Sequence, residues 1–84
     1  MTTLTDFSVM TFEKKCDIVA FKSNFLMHRI IGKTKIFLYE SAGFFIEVFY
    51  SSERAEVLMI NAFANVNNLD AYLSEIELTD LNIN

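Results

Sequence analysis

The chain has 84 residues, of which 52% are hydrophobic and 21% charged, and it carries a formal net charge of −4. This length predicts a single domain over residues 1–84, with one modest core and ends at 1–10 and 78–84 that fray. The composition excludes a disordered chain, and every apolar stretch is shorter than the roughly 18 residues of a membrane-spanning helix, so we expect no membrane partner.

The N-terminus and the single cysteine predict a cytoplasmic location. The opening MTTLTDFSVM has neither a basic region nor a long apolar run, and it includes Asp6, so it does not resemble a secretory signal. Cys16 has no second cysteine with which to form an internal disulfide, and the chain has no N-x-[ST] sequon. A reducing cytoplasm fits both observations.

The charges are unevenly distributed along the chain. All seven Lys and Arg residues lie within residues 1–54, whereas residues 55–84 carry five acids and no base. The largest basic cluster, Lys14 and Lys15, is flanked by Glu13 and Asp17, which does not favour phosphate contacts, so no nucleic-acid partner is expected. We interpret the acidic end as a solvated helix face followed by a frayed tail.

Two N-terminal segments have the features of helix starts. Thr5 and Thr11 each precede a stretch that favours a helix, and Thr11 is the stronger N-cap because an amphipathic run follows it. The second helix is predicted over residues 12–22. Its buried stripe is expected to consist of Phe12, Cys16, Val19 and Ala20.

Four strands are predicted after this helix, beginning at Phe25. Gly32-Lys33 fits a two-residue type II′ turn, which pairs Ile31 with Thr34. Counting outward then sets Arg29 against Ile36, Met27 against Leu38 and Phe25 against Glu40.

The second and third turns determine the register of the later strands. We interpret Ser41-Ala42-Gly43 as a three-residue loop with Gly43 at φ > 0. This loop sets Glu40 against Phe44, Leu38 against Ile46 and Ile36 against Val48. The turn at residues 51–54 lacks glycine, so the register of the fourth strand against the third is defined only to within one residue. We favour the register in which Leu58 and Ile60 face inward.

A closing helix is predicted from an N-cap at Asn67, with an apolar stripe of Leu69, Tyr72, Leu73 and Ile76. The predicted fold is therefore α+β: an antiparallel four-stranded β-meander with an N-terminal and a C-terminal helix packed on one face.

The predicted register gives the sheet one purely apolar face and one mixed aromatic face. The core face holds Phe25, Met27, Ile36, Leu38, Phe44, Ile46, Val48 and Tyr50. On the second face, three phenylalanines alone offer roughly 500 Å² of apolar surface, enough to seed an interface. Either the ends of the chain fold over it or another molecule does. The interface candidates are Leu26, His28, Ile30, Phe37, Tyr39, Phe45, Glu47 and Phe49.

The residues offer little for catalysis. The I-G-K-T at 31–34 lacks the glycine that a phosphate-binding loop requires at position 27, which is Met27. His28 and Glu47 could share a face as an acid/base pair, but a lone strand histidine is usually a surface residue. Cys16 is interpreted as an inert thiol on an apolar stripe. No catalytic residue, metal site or cofactor is expected.

The run KIFLYESAGFFIEVFYS, followed by a short strand and LDAYLSEIELTDL, resembles a group of small uncharacterised bacterial proteins. They share a strand of the type FF-[IV]-E-V-[FW]-Y and a closing helix of the type L-x-x-Y-L-x-x-I-x-L. The resemblance spans about residues 11–81. It implies the order helix, four-stranded meander, helix, and it carries over no functional residues.

These observations predict a non-catalytic protein-interaction domain of unknown process, which forms a homodimer through the aromatic second face or an edge of its sheet. One alternative is an inhibitor or immunity-type protein that masks a basic protein partner, because an acidic surface steers association with basic clefts. A second alternative is a minimal enzyme or small-ligand binder that uses the His28 face.

Overall fold

The computed structural model describes residues 2–72 and has the predicted α+β fold. Its sheet is a four-stranded antiparallel meander in the order β1-β2-β3-β4. No helix within residues 2–72 is long and apolar enough to cross a membrane. The elements are α1 (Leu4–Ser8), α2 (Phe12–Lys22), β1 (Asn24–Ile31), β2 (Thr34–Ser41), β3 (Phe44–Ser51), β4 (Glu56–Phe63) and a 3₁₀ helix (Val66–Leu69).

Both N-terminal helices begin at threonine caps. The cap of α1 is Thr3 rather than Thr5, because Thr3 and Asp6 form a capping box in which each side chain accepts a hydrogen bond from the other residue's backbone N–H. The predicted cap of α2 is confirmed: the Thr11 hydroxyl accepts a hydrogen bond from the Lys14 backbone N–H at 3.2 Å. These bonds satisfy backbone donors that a helix start leaves unpaired.

The buried stripe of α2 differs from the prediction. Ile18 is the buried residue of this helix. Phe12 is 51% exposed, Ala20 is exposed, and Cys16 and Val19 are only half-buried. The helix therefore contacts the sheet along the side of Ile18 and leaves much of its predicted core stripe uncovered.

The β1–β2 hairpin has the predicted register over most of its length. Ile31 pairs with Thr34 and Met27 with Leu38, and Gly32 takes a φ of 59°, as the first central position of a type II′ turn requires. A bulge at Leu26 shifts the far end by one residue. Phe25 therefore faces Tyr39 instead of Glu40.

The predicted register of β2 against β3 is wrong by one residue. The loop contains two residues, Ala42 and Gly43, with φ values of 46° and 87°. Two consecutive positive φ values define a type I′ turn. The sequence does not predict this turn, because alanine seldom adopts a positive φ. Glu40 consequently faces Phe45, and Leu38 faces Glu47.

The β3–β4 connection also contains an alanine in the left-handed region, Ala55 at a φ of 54°. Leu58 is an unpaired bulge residue and is 48% exposed, so its predicted inward position is wrong. Ile60 packs against the core, as predicted. Val57 packs there too, because the bulge places it on the same side as Ile60.

The two N-terminal helices and the segment that follows β4 cover opposite faces of the sheet, whereas the prediction placed both helices on one face. On the front face, Phe7 and Ile18 from the helices pack against Phe44, Ile46 and Val48. The back face holds a second apolar cluster with two residues that follow β4, Leu69 and Tyr72. The buried members of that cluster are Ile36, Leu38, Phe63 and Tyr72.

The one-residue difference between the predicted and the observed β2–β3 register accounts for the different composition of the two faces. Because side chains alternate along a strand, a shift of one residue transfers every β3 side chain to the other face. The C-terminal helical segment begins at an Asn65 cap, two residues before the predicted Asn67. The remaining predicted stripe residues, Leu73 and Ile76, lie outside the described residues.

The type I′ turn generates a stability prediction. Replacing Ala42 by Asn creates Asn-Gly, the preferred pair for this turn, and should raise the free energy of unfolding by about 0.5–1 kcal/mol because asparagine tolerates φ > 0. The same change at Ala20, within α2, should lower it by about 0.5 kcal/mol through helix propensity. Urea unfolding of both variants measures the difference, and equal effects would contradict the turn assignment.

Candidate binding surfaces

The eight predicted interface residues do not share one face. The β2–β3 register divides them, since Phe37 faces Val48 whereas Leu38 faces Glu47. His28, Ile30, Phe37 and Tyr39 lie on the front face, and Phe45, Glu47 and Phe49 lie on the back face. Leu26 is the bulge residue of β1 and is 46% exposed. The predicted surface is therefore half the size expected, and it lies on the side of the helices.

Aromatic side chains form a continuous patch on the front face of β1 and β2. The Phe25 ring lies 5.5 Å from the Tyr39 ring and 6.4 Å from the Phe37 ring, measured between centroids, and His28 lies 6.0 Å from Phe37. The prediction placed Phe25 in the core, but it is 54% exposed. We call the following residues the aromatic patch: Phe25, His28, Ile30, Phe37 and Tyr39.

An open groove of about 490 Å³ continues from the aromatic patch between α2 and the sheet. Cys16 and Val19 of α2 form one wall, and Val57 and Ile60 lie on the sheet side. Phe25 and Tyr39 line the end that meets the aromatic patch. All the residues that line this groove are uncharged, so it favours an apolar occupant.

A polar network lies in the middle of the otherwise apolar back face. Glu47 is 7% exposed and accepts two hydrogen bonds, from the Tyr72 hydroxyl at 2.7 Å and from the Asn61 side-chain amide at 3.0 Å. Arg29 Nη2 lies 3.9 Å from Glu47 Oε2, and its guanidinium stacks over the Tyr72 ring at 4.9 Å from the centroid. The Arg29 Nε is buried and has no hydrogen-bond partner among residues 2–72.

The pKa of the Tyr72 phenol reflects this setting. Burial, followed by the hydrogen bond to Glu47, raises the pKa of Tyr72 from its ordinary 10.0 to about 12, while Arg29 acts in the opposite direction. Tyr72 is therefore a neutral donor to the Glu47 carboxylate over the whole physiological pH range.

His28 and Glu47 do not share a face, so the acid/base pair considered from the sequence is not formed. His28 pairs with Phe37 and faces the front, whereas Glu47 faces the back. Cys16 is a half-buried free thiol in the wall of the groove. Within residues 2–72, no group of three or more His, Cys, Asp and Glu side chains is placed to hold a metal ion.

Sequence reasoning missed the network around Glu47. The available signal was a single charge in each of two apolar strands, Arg29 in NFLMHRII and Glu47 in FFIEVFYS. With the correct register, both fall on the back face of the sheet. Asn61 lies directly opposite Glu47 on β4, a pairing that depends on the same register.

Comparison of the chain with protein-family models, curated proteins and solved structures finds no match. The resemblance to small bacterial proteins therefore stays a prediction.

The Arg29–Glu47 pair generates a prediction about coupling. Glu47→Leu alone should lower the free energy of unfolding by about 3 kcal/mol, because it leaves the Arg29 guanidinium, 19% exposed, without its counter-ion. Adding Arg29→Met should recover more than about 1 kcal/mol of that loss. The matched control is the exposed Lys33–Glu53 pair, whose equivalent cycle should show little coupling. Additive effects at Arg29 and Glu47 would contradict the pairing.

The raised pKa of Tyr72 predicts a loss of stability at alkaline pH. The folded state favours the neutral phenol, so the stabilisation from Tyr72 is complete below pH 10 and is lost as the pH rises from 10 through about 12. Comparing the wild type with Tyr72→Phe by urea unfolding across this range isolates the effect from other titrating groups. A stability difference that does not change with pH would show that the phenol does not titrate as described.

Proposed function

We propose that the chain is a non-catalytic protein-interaction domain that pairs with a second copy of itself through its front face. The observation that carries the proposal is the uncovered apolar surface formed by the aromatic patch and the adjoining groove. Both α1 and α2 pack on this face, yet Phe25 and Ile30 are still 54% and 57% exposed. Within residues 2–72, the chain thus leaves apolar surface exposed on the face where both helices pack.

The size of this surface fits a dimer. Phe25 is 54% exposed, which at roughly 200 Å² per ring amounts to about 100 Å² of exposed aromatic surface. Ile30, His28 and the groove walls extend the surface towards the roughly 800 Å² per partner of a stable interface. Isolated monomers rarely expose apolar patches larger than a few hundred Å².

A second copy fits because the surface contains both a projecting and a receiving part. In a two-fold contact the same surface is used on both partners, so the exposed Phe25 ring of one copy can enter the groove of the other, and the reverse. The uncharged groove avoids repulsion between two copies that each carry a net charge of −4.

Pairing through a sheet edge is disfavoured by the structure of the edge strands. Bulges interrupt both β1, at Leu26, and β4, at Leu58. A bulge twists an edge strand and breaks the regular hydrogen-bonding pattern that a neighbouring chain would need. The front face therefore supports association better than either edge.

The groove also supports a second candidate, an apolar small-ligand site. Its volume of about 490 Å³ lies within the 300–1,000 Å³ typical of small-molecule pockets. Such a ligand would occupy the groove without changing the oligomeric state. A measurement of the oligomeric state therefore distinguishes ligand binding from dimer formation. The groove's lack of charge gives no support to an inhibitor that recognises a basic partner there.

Size-exclusion chromatography with light scattering tests the proposed dimer. The wild type should reach twice its 9.7 kDa mass as concentration rises. Phe25→Glu should give a monomer with an unchanged circular dichroism spectrum, because it places a charge in the proposed interface. Val66→Glu is the matched control, as Val66 is 62% exposed and lies outside the front face, in the 3₁₀ helix after β4.

Two results would refute the dimer. One is a wild-type mass of 9.7 kDa at every concentration, and the other is a folded Phe25→Glu variant that still associates. A concentration-independent monomer that co-purifies with an apolar small molecule, seen by native mass spectrometry, would favour the ligand site instead.

A further inference from the structure

The segment that follows β4, residues 64–72, packs against the back face. Leu69 and Tyr72 enter the back-face cluster, and the other side chains of the segment are exposed. We call this segment the C-terminal strap. Its 3₁₀ helix is held locally by the Asn65 side chain, which accepts a hydrogen bond from the Asn67 backbone N–H at 2.9 Å.

The contact of the C-terminal strap depends strongly on Tyr72. Its ring is 1% exposed and packs with Ile36, Leu38 and Phe63. Its hydroxyl donates to Glu47 at 2.7 Å, a short bond to a charged acceptor and therefore a strong one. Phenol, carboxylate and the stacked Arg29 guanidinium together form a latch between the strap and the sheet.

We infer that the C-terminal strap is a lid over the back face, which opens while the four-stranded sheet stays folded. Within residues 2–72, β1 to β4 form their backbone ladders with one another, so these hydrogen bonds do not depend on the strap. Segments with few buried contacts open at a lower free energy than the strands of a core.

The polar network suits a face that is alternately covered and wet. In the closed state the buried Arg29 Nε has no hydrogen-bond partner among the described residues, and water can bond to it when the strap lifts. In the open state Glu47 keeps the Asn61 amide and the nearby guanidinium, so its charge is still compensated. The opening uncovers a second apolar surface that includes Phe45 and Phe49, which are half-buried.

This lid is independent of the proposed dimer, because it lies on the opposite face of the sheet. The two proposals therefore fail separately. A dimer that dissociates on Phe25→Glu says nothing about the lid, and the lid is tested equally well in that monomeric variant.

Native-state hydrogen exchange by NMR tests the lid. The reporters are the Asn68 amide, bonded to the Asn65 carbonyl at 3.1 Å, and the Asp70 amide, bonded to the Asn67 carbonyl. In the wild type they should exchange at least tenfold faster than β2 and β3 amides. Tyr72→Phe should accelerate the reporters about tenfold further and leave the β2 and β3 rates unchanged.

Tyr50→Phe is the matched control, because it removes a hydroxyl from the front face of β3 that makes no hydrogen bond within the described residues. It should leave both sets of rates unchanged. The inference is overturned if the wild-type reporters are as protected as the β2 and β3 amides. It is also overturned if Tyr72→Phe accelerates strands and reporters equally, or accelerates neither.

Discussion

The two-residue turn at Ala42-Gly43 fixes the register of β2 against β3, and the composition of both faces of the sheet depends on it. With this turn, Ile46 and Val48 meet the helices while Glu47 lies on the back. A three-residue loop would exchange the faces and place the Glu47 carboxylate beneath α1 and α2, without Asn61 or Tyr72. The cost of an alanine at positive φ, roughly 1 kcal/mol, is small beside that of a buried unpaired carboxylate. The two-residue turn is therefore favoured, because it avoids burying the Glu47 carboxylate beneath the helices.

The two faces of the sheet are covered by different elements and differ in polarity. The front face is mainly apolar where α1 and α2 pack on it, with Ser41 donating a hydrogen bond to the Lys22 carbonyl of α2, and the aromatic patch is still partly exposed. The back face is covered by the much shorter C-terminal strap within the described residues, and it carries a charged pair at its centre. A charged pair stabilises a permanently dry core poorly, whereas it keeps a face compatible with water. The polar network and the proposed lid thus follow from the same placement of Glu47.

The sequence was sufficient for the parts of the fold that depend on local signals. Thr11 specified the start of α2, and glycine at position 32 specified the first hairpin, because capping and turn chemistry act over a few residues. The parts that failed depend on non-local burial. Alanine at positions 42 and 55 gives no turn signal, and the bulge at Leu58 leaves no trace in composition. The site followed these errors: Tyr39 and Phe37 were placed on the patch, but Phe45 and Phe49 were assigned to it through the wrong register, and Asn61 and Tyr72 were not recognised as partners of Glu47.

The helix α2 shows why periodicity alone could not identify the exposed surface. Its stripe of Phe12, Cys16, Val19 and Ala20 has the spacing of a buried face, and a sequence pattern does not distinguish burial in the same chain from burial in another. In the structure the helix buries Ile18, and three residues of the stripe, Cys16, Val19 and Ala20, line the groove. Apolar residues at helical spacing that the chain itself leaves uncovered are the pattern expected of a helix that contacts a partner. The mismatch between the stripe and the buried residue is thus itself an argument for association through the front face.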